Sequence, residues 1–217
     1  MKNIINIKKT NNVNKKRITN NKIILASKSE SRKRILKNTK IPFRVVAPKI
    51  KEGEYKNKFK KKGLSYKNIT KKLAEIKCRD VSKKHPKNIV VACDTMIELN
   101  NKIFNKAKNL KEAKNKIKKL SGKGHNIYSS VCVIKNNKII WSFGKNTKVW
   151  IRSLKNEDVD SYLSKSGSQI LKSVGCYQAE KMGPLIISKI SGDFYNVLGF
   201  PVLDFIKFIK KTEPDIL

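Results

Sequence analysis

The chain has 217 residues, and its 51 lysines and arginines against 16 acidic residues give a formal net charge of +35. The length suits one ordinary domain with a full core, and no run approaches the roughly 20 apolar residues that a membrane-spanning helix needs. Cys78, Cys93, Cys132 and Cys176 lie far apart with no CxxC pair, and His85 and His125 complete no zinc spacing, so free thiols in a reducing cytoplasm are expected.

In chain order, residues 1–22 are basic and Asn-rich with no apolar core segment, which predicts a disordered tail and no secretory signal. Residues 23–27 read as a strand, 29–38 as a helix and 43–47 as a strand. Glu52, in "APKIKEGE", falls in a loop. A helix follows over 66–84, with Ile69, Leu73, Ile76 and Val81 near helical spacing. "NIVVACDTMIELNNKIF" predicts a buried strand, a polar break at Asp94 and Thr95, and a hairpin turning on Asn100 and Asn101.

"NLKEAKNKIKKLSG" reads as a helix closed by Gly122, and "HNIYSSVCVIKNNKIIWSF" as a second hairpin on an Asn pair. A strand ending near Arg152, a helix over 156–164 and a strand over 185–190 come next. "GFP" opens the last helix, with Pro201 in its first turn, and 213–217 reads as a short tail. Strand and helix alternate, as in α/β folds, with no repeat and no linker inside 23–212.

The stretch "ILASKSESRKRIL" starts a helix with Arg32, Lys33 and Arg34, although the amino end of a helix already carries about half a positive charge. Such a start predicts a bound anion. The chain has no GxxxxGKS, GxGxxG, GxSxG or HExxH signature. Its chemistry must rest on carboxylates, lysines and serines. Asp94 follows the apolar run "VVAC" and reads as a carboxylate at a strand's carboxyl end, either a site residue or a cap for the next turn. Lys77 and Lys106 are not distinguished by spacing. "KISGDFYNVLGFP", with Asp193, reads as a tight structured loop.

The charge raises nucleic acid or an acidic membrane surface as partners. Only Arg17, Arg32, Arg34, Arg44, Arg79 and Arg152 among the cations are arginine, and lysine comes with abundant Asn and Ile. Those three residue types share A- and T-rich codons. The lysines also occupy every segment, without the clustering and interleaved aromatics of a nucleic-acid footprint. Neither specific nucleic acid nor membrane is the expected partner.

Four segments in register resemble one family. "LASKSESRKRIL" is similar to the "LASxSxxRxxLL" opening of the Maf nucleotide pyrophosphatases, and "VVACDTMIEL" to their "VxGADTxV". "KIFNKAKNLKEAKNKIKKLSGKGHNIYSSV" and "SVGCYQAEKMG…ISKISGDFYNVLGFPV" extend the resemblance over about residues 23–210. It implies a single Maf/ITPase-like α/β domain with a mixed twisted sheet, flanking helices and a central cleft. It also implies a homodimer that hydrolyses nucleoside triphosphates to the monophosphate and pyrophosphate with a divalent metal, Mg or Mn.

By position, the resemblance assigns Ser27, Ser29 and Arg32 to phosphate binding, Asp94, Lys106 and Lys77 to catalysis, and Glu52 with Asp94 to the metal. Ser31, Thr95 and Glu180 fall where members read the base. Three departures stand out: Lys51-Glu52 replaces "DE", Asn105-Lys106-Ala107 replaces "GKP", and Ser31 stands where Arg or Trp is usual. Glu180 matches members that act on 7-methyl-GTP, and its carboxylate suits the donors of guanine. Thr95 instead matches the pyrimidine-preferring members. The competing expectations are a basic nucleic-acid-binding protein and a cell-division regulator with little catalysis.

Overall fold

The computed structural model describes residues 22–217, so the expected tail lies outside the described residues except for Lys22. Strands β1 (Ile23–Leu25), β2 (Phe43–Val45), β3 (Ile89–Leu99), β4 (Lys102–Phe104), β5 (Gly124–Lys135), β6 (Lys138–Ile151) and β7 (Ile187–Ser191) form one mixed sheet. Its order is β2-β1-β3-β5-β6-β7, with β4 paired to β3. The helices are α1 (Glu30–Asn38), α2 (Glu52–Lys61), α3 (Tyr66–Ser82), α4 (Leu110–Leu120), α5 (Asn156–Ser166), α6 (Phe194–Val197) and α7 (Val202–Thr212). This is the expected α/β architecture.

The pleat explains why β1 and β3 read as continuous apolar runs. Ile23, Leu25, Val91 and Cys93 enter a core with Leu36 of α1 and Phe205 and Ile209 of α7. Ile24, Ala26, Val90 and Ala92 enter a second core with Ala74, Cys78 and Val81 of α3. Both faces of the sheet are covered here, so the alternation of side chains buries every residue. A third core joins α4 and α5 to the far ends of β3 and β5 through Ile97, Ile117, Ile127 and Val159.

Local chemistry accounts for most boundaries. The Asn100-Asn101 and Asn136-Asn137 pairs have φ between +49° and +62°, as a tight hairpin requires. Ser29 caps α1, its side chain accepting from the Arg32 amide at 3.4 Å. Four expectations need correction. There is no polar break in β3: Asp94 and Thr95 lie in mid-strand, opposite Ser130 and Ser129 of β5, because the ladder uses backbone groups and is indifferent to side-chain polarity. Pro201 is the N-cap of α7, one residue ahead of its first turn, and β7 starts late because Gly183–Leu185 forms a single 3-10 turn.

The fourth correction is α2, a helix where a loop was expected. Acidic residues open it at Glu52 and Glu54, and Lys58, Lys60 and Lys61 close it, which suits the helix dipole. It has no fully buried residue, so no apolar period announces it.

One detail of the sheet creates the site. On one side β3 pairs with β1 through Ile89–Val91 and with β4 through Ile97–Leu99. Between these, residues 92–96 have no strand neighbour on that side among the described residues. Beyond Leu25 the chain leaves the sheet for α1. A cleft opens in this gap.

Candidate active site

The cleft has a volume of about 730 Å³ and is lined by residues of the β1–α1 loop, α2, β3 and the segments before α4 and α7. Side-chain alternation sends the two polar residues of mid-β3 to opposite faces. Asp94 meets α3, and Thr95 meets α1 and the α6–α7 junction.

On the α3 face, the Lys77 ammonium lies 2.6 Å from Asp94 Oδ1 and 2.8 Å from Glu52 Oε2. Lys77 and Asp94 are both buried, at 5% and 6% exposure. Lys77 continues the Ile69–Leu73–Lys77–Val81 stripe that packs α3 on the sheet. A lysine on an apolar stripe was a signal that could have singled it out in the sequence. A buried ion pair seldom adds net stability, since desolvation offsets the attraction.

On the other face, Arg32 donates from Nε to the Gly199 carbonyl at 2.8 Å and from Nη2 to Thr95 Oγ1 at 3.0 Å. Thr95 Oγ1 also lies 2.8 Å from Ser129 Oγ, which donates to the Asn196 carbonyl at 3.1 Å. Gly199 has φ +95°, and a Cβ there would sit 3.2 Å from Thr95 Oγ1. The positive φ favours glycine at this junction, and a Cβ would crowd the Thr95 hydroxyl. Lys145 of β6 fixes the junction, its ammonium 2.6 Å from Asp204 and 3.3 Å from Asp193, the N-cap of α6. The hydrogen bond that Lys145 donates to Asp204 raises its pKa.

The structure therefore gathers into one cleft every residue that the resemblance assigned to the site. Ser27 accepts from the Ser29 amide at 3.1 Å, so the two serines organise the loop that enters α1. Ser31 donates to the Leu198 carbonyl at 3.1 Å, and with Thr95 already engaged, neither hydroxyl is free of the protein. Glu180 is paired with Arg34. Lys106 makes no hydrogen bond or ion pair among the described residues. Burial among the cleft walls, with Arg32 and Lys77 adding repulsion, lowers its pKa, while Glu52 and Asp94 oppose the shift.

Two residues that line the cleft were not singled out in the sequence. Arg34 was noted only as part of a basic run, and Lys56 lay in a stretch with no predicted element. Lys56 sits one turn after Glu52 and lines the same cleft.

Comparison with known proteins identifies the family of this chain. Residues 22–212 match the family described as Maf-like protein. A nucleoside triphosphate pyrophosphatase of Caulobacter vibrioides is 32% identical over 188 residues, covering 87% of this chain and 94% of the relative. A 7-methyl-GTP pyrophosphatase of Brucella abortus is 32% identical over 192 residues, covering 88% and 96%. A dTTP/UTP pyrophosphatase of Thermosipho melanesiensis is 36% identical over 180 residues, covering 83% and 92%. With the family match spanning nearly all of the described residues and the charged cluster in its cleft, the chain belongs to the Maf family.

Proposed function

We propose that the chain hydrolyses nucleoside triphosphates between the α and β phosphates, releasing the nucleoside monophosphate and pyrophosphate. The observation that carries this is the buried Asp94–Lys77 pair, joined by the exposed Glu52, in the gap of β3 beside the amide-rich start of α1. The loop amides and Arg32 supply an anion site, which accounts for the basic helix start. Asp94 takes the proton from the attacking water as its oxygen bonds to the α phosphorus. The bond from that phosphorus to the bridging oxygen breaks, and pyrophosphate leaves against Lys106.

A divalent metal, Mg or Mn, fits the donors present. Lys77 takes one oxygen each from Glu52 and Asp94, and no other side chain among the described residues bonds either carboxylate. No group of three or more His, Cys, Asp or Glu residues is placed to hold a metal by itself among the described residues. Such a site suits Mg, which takes one or two carboxylates and completes its shell with phosphate oxygens and water. The metal would neutralise charge on the phosphates.

The test is pyrophosphate release from a panel of triphosphates with Mg or Mn, run beside duplex-DNA binding at two salt concentrations. Metal-dependent release is expected, with any DNA binding lost steeply as salt rises. No release from any triphosphate, with DNA binding that persists, would replace this reading with the nucleic-acid one. The resemblance also supports a homodimer, expected in light scattering at twice the 24.8 kDa chain mass. The spacing of the cysteines supports a cytoplasmic location.

Glu180 is the proposed base reader, favouring a guanine-type base because a carboxylate accepts from two neighbouring donors. The Glu180→Gln variant is expected to lower the kcat/KM ratio of GTP or 7-methyl-GTP over UTP or dTTP by about tenfold. That is the lower end for hydrogen bonds to a charged group, since Arg34 already engages the carboxylate. An unmoved ratio would place base selection elsewhere.

A further inference from the structure

Helix α2 is lysine-rich and exposed, yet Lys56 behaves unlike its neighbours. Lys58, Lys60 and Lys61 stand in solvent, whereas Lys56 is half-buried on the cleft wall. Its ammonium donates to the side-chain carbonyl of Asn105, the residue before Lys106, and thereby spans the space between α2 and the loop leading to α4. Apart from this bond, no hydrogen bond or ion pair of Lys56 is formed among the described residues. An ammonium is strongly hydrated, and one neutral amide is poor compensation for leaving water.

The surroundings suggest what would compensate it. Lys56 lies within electrostatic reach of Asp94, Glu52 and Lys77, and burial followed by repulsion from Lys60 lowers its pKa. Lys77 is already answered by two carboxylates, so its charge is spent within the protein. Lys56 and Lys106, beside the cluster, form no ion pair among the described residues. A polyphosphate entering the cleft would supply an anion.

We infer that Lys56 is a phosphate-binding residue: on substrate entry its ammonium exchanges Asn105 for an oxygen of the diphosphate portion, and it stays on the departing pyrophosphate. The inference rests on the proposed pyrophosphatase reading and adds a charge contact to it. Asn105 acts as the holder that keeps the ammonium inside the cleft between turnovers.

The experiment uses the full chain as wild type, Lys56→Met, Lys56→Arg and Asn105→Ala. Titration calorimetry with inorganic pyrophosphate and Mg is read beside kcat and KM for a triphosphate. Lys56→Met is expected to weaken pyrophosphate binding at least tenfold and to lower kcat/KM by a similar factor, with Lys56→Arg recovering much of both. Asn105→Ala is expected to tighten pyrophosphate binding up to threefold, because it removes a competitor for the ammonium.

Pyrophosphate affinity within twofold of wild type in Lys56→Met would overturn the inference. So would an equal loss in Asn105→Ala, which would make Lys56 a clasp between two segments. These outcomes are separable from failure of the pyrophosphatase reading, in which the wild type itself hydrolyses no triphosphate while Lys56-dependent pyrophosphate binding persists.

Discussion

Replacing Asp94 by asparagine is expected to lower kcat by about a hundredfold to ten-thousandfold, the usual cost of losing a general base. The amide is nearly isosteric but does not accept the proton of water. The fold should survive, because Lys77 keeps its second partner: Glu52 remains 2.8 Å from the ammonium, and its side chain is 52% exposed to water. Circular dichroism and a melting curve close to wild type, together with the loss of pyrophosphate release, are the expected pair of results. Turnover within threefold of wild type would make Asp94 a structural residue of β3 and would remove the basis of the mechanism.

Lys77→Met is expected to do more damage to the fold and comparable damage to turnover. Methionine fills the space of the lysine stem on the buried stripe of α3 but carries no charge. Asp94 is then buried with no cation on its carboxylate, and Glu52 adds a second negative group nearby. Breaking a buried pair from one side costs about 3 kcal/mol or more. For a domain of this size that corresponds to a fall of about 6–12 °C in melting temperature. Turnover should drop by about a hundredfold or more, since the residue that orients Asp94 is lost. A melting temperature within about 2 °C of wild type would show that the Lys77–Asp94 contact contributes little to the stability of the fold.

The contrast between these variants separates chemistry from support. Asp94→Asn removes the proton acceptor and leaves a cation with a carboxylate still beside it. Lys77→Met removes the cation and leaves like charges together. Equal thermal losses in the two would contradict the arrangement in which Lys77 bridges both carboxylates.

Signals carried by near neighbours were enough to show much of the fold. The asparagine pairs require positive φ, the apolar runs of β1 and β3 require a covered sheet, and Ser29 with the basic turn after it marks a helix start that seeks an anion. Asp94 stood out because so apolar a run before it must lie in the core. The resemblance to one family supplied the remaining site residues, and the cleft contains all of them.

Other features depended on the closed sheet. Helix α2 buries nothing completely, so its sequence has no apolar period, and it takes its place from packing against α3. The contact between Arg34 and Glu180 joins residues 146 positions apart, and that between Lys56 and Asn105 joins residues 49 apart. The sequence by itself determined which residues are apolar, which turn and which are charged, because those properties belong to each residue and its near neighbours. Which charges meet was decided by the gap in β3 between its pairing with β1 and with β4, a property of strand order that appears only when the chain has folded.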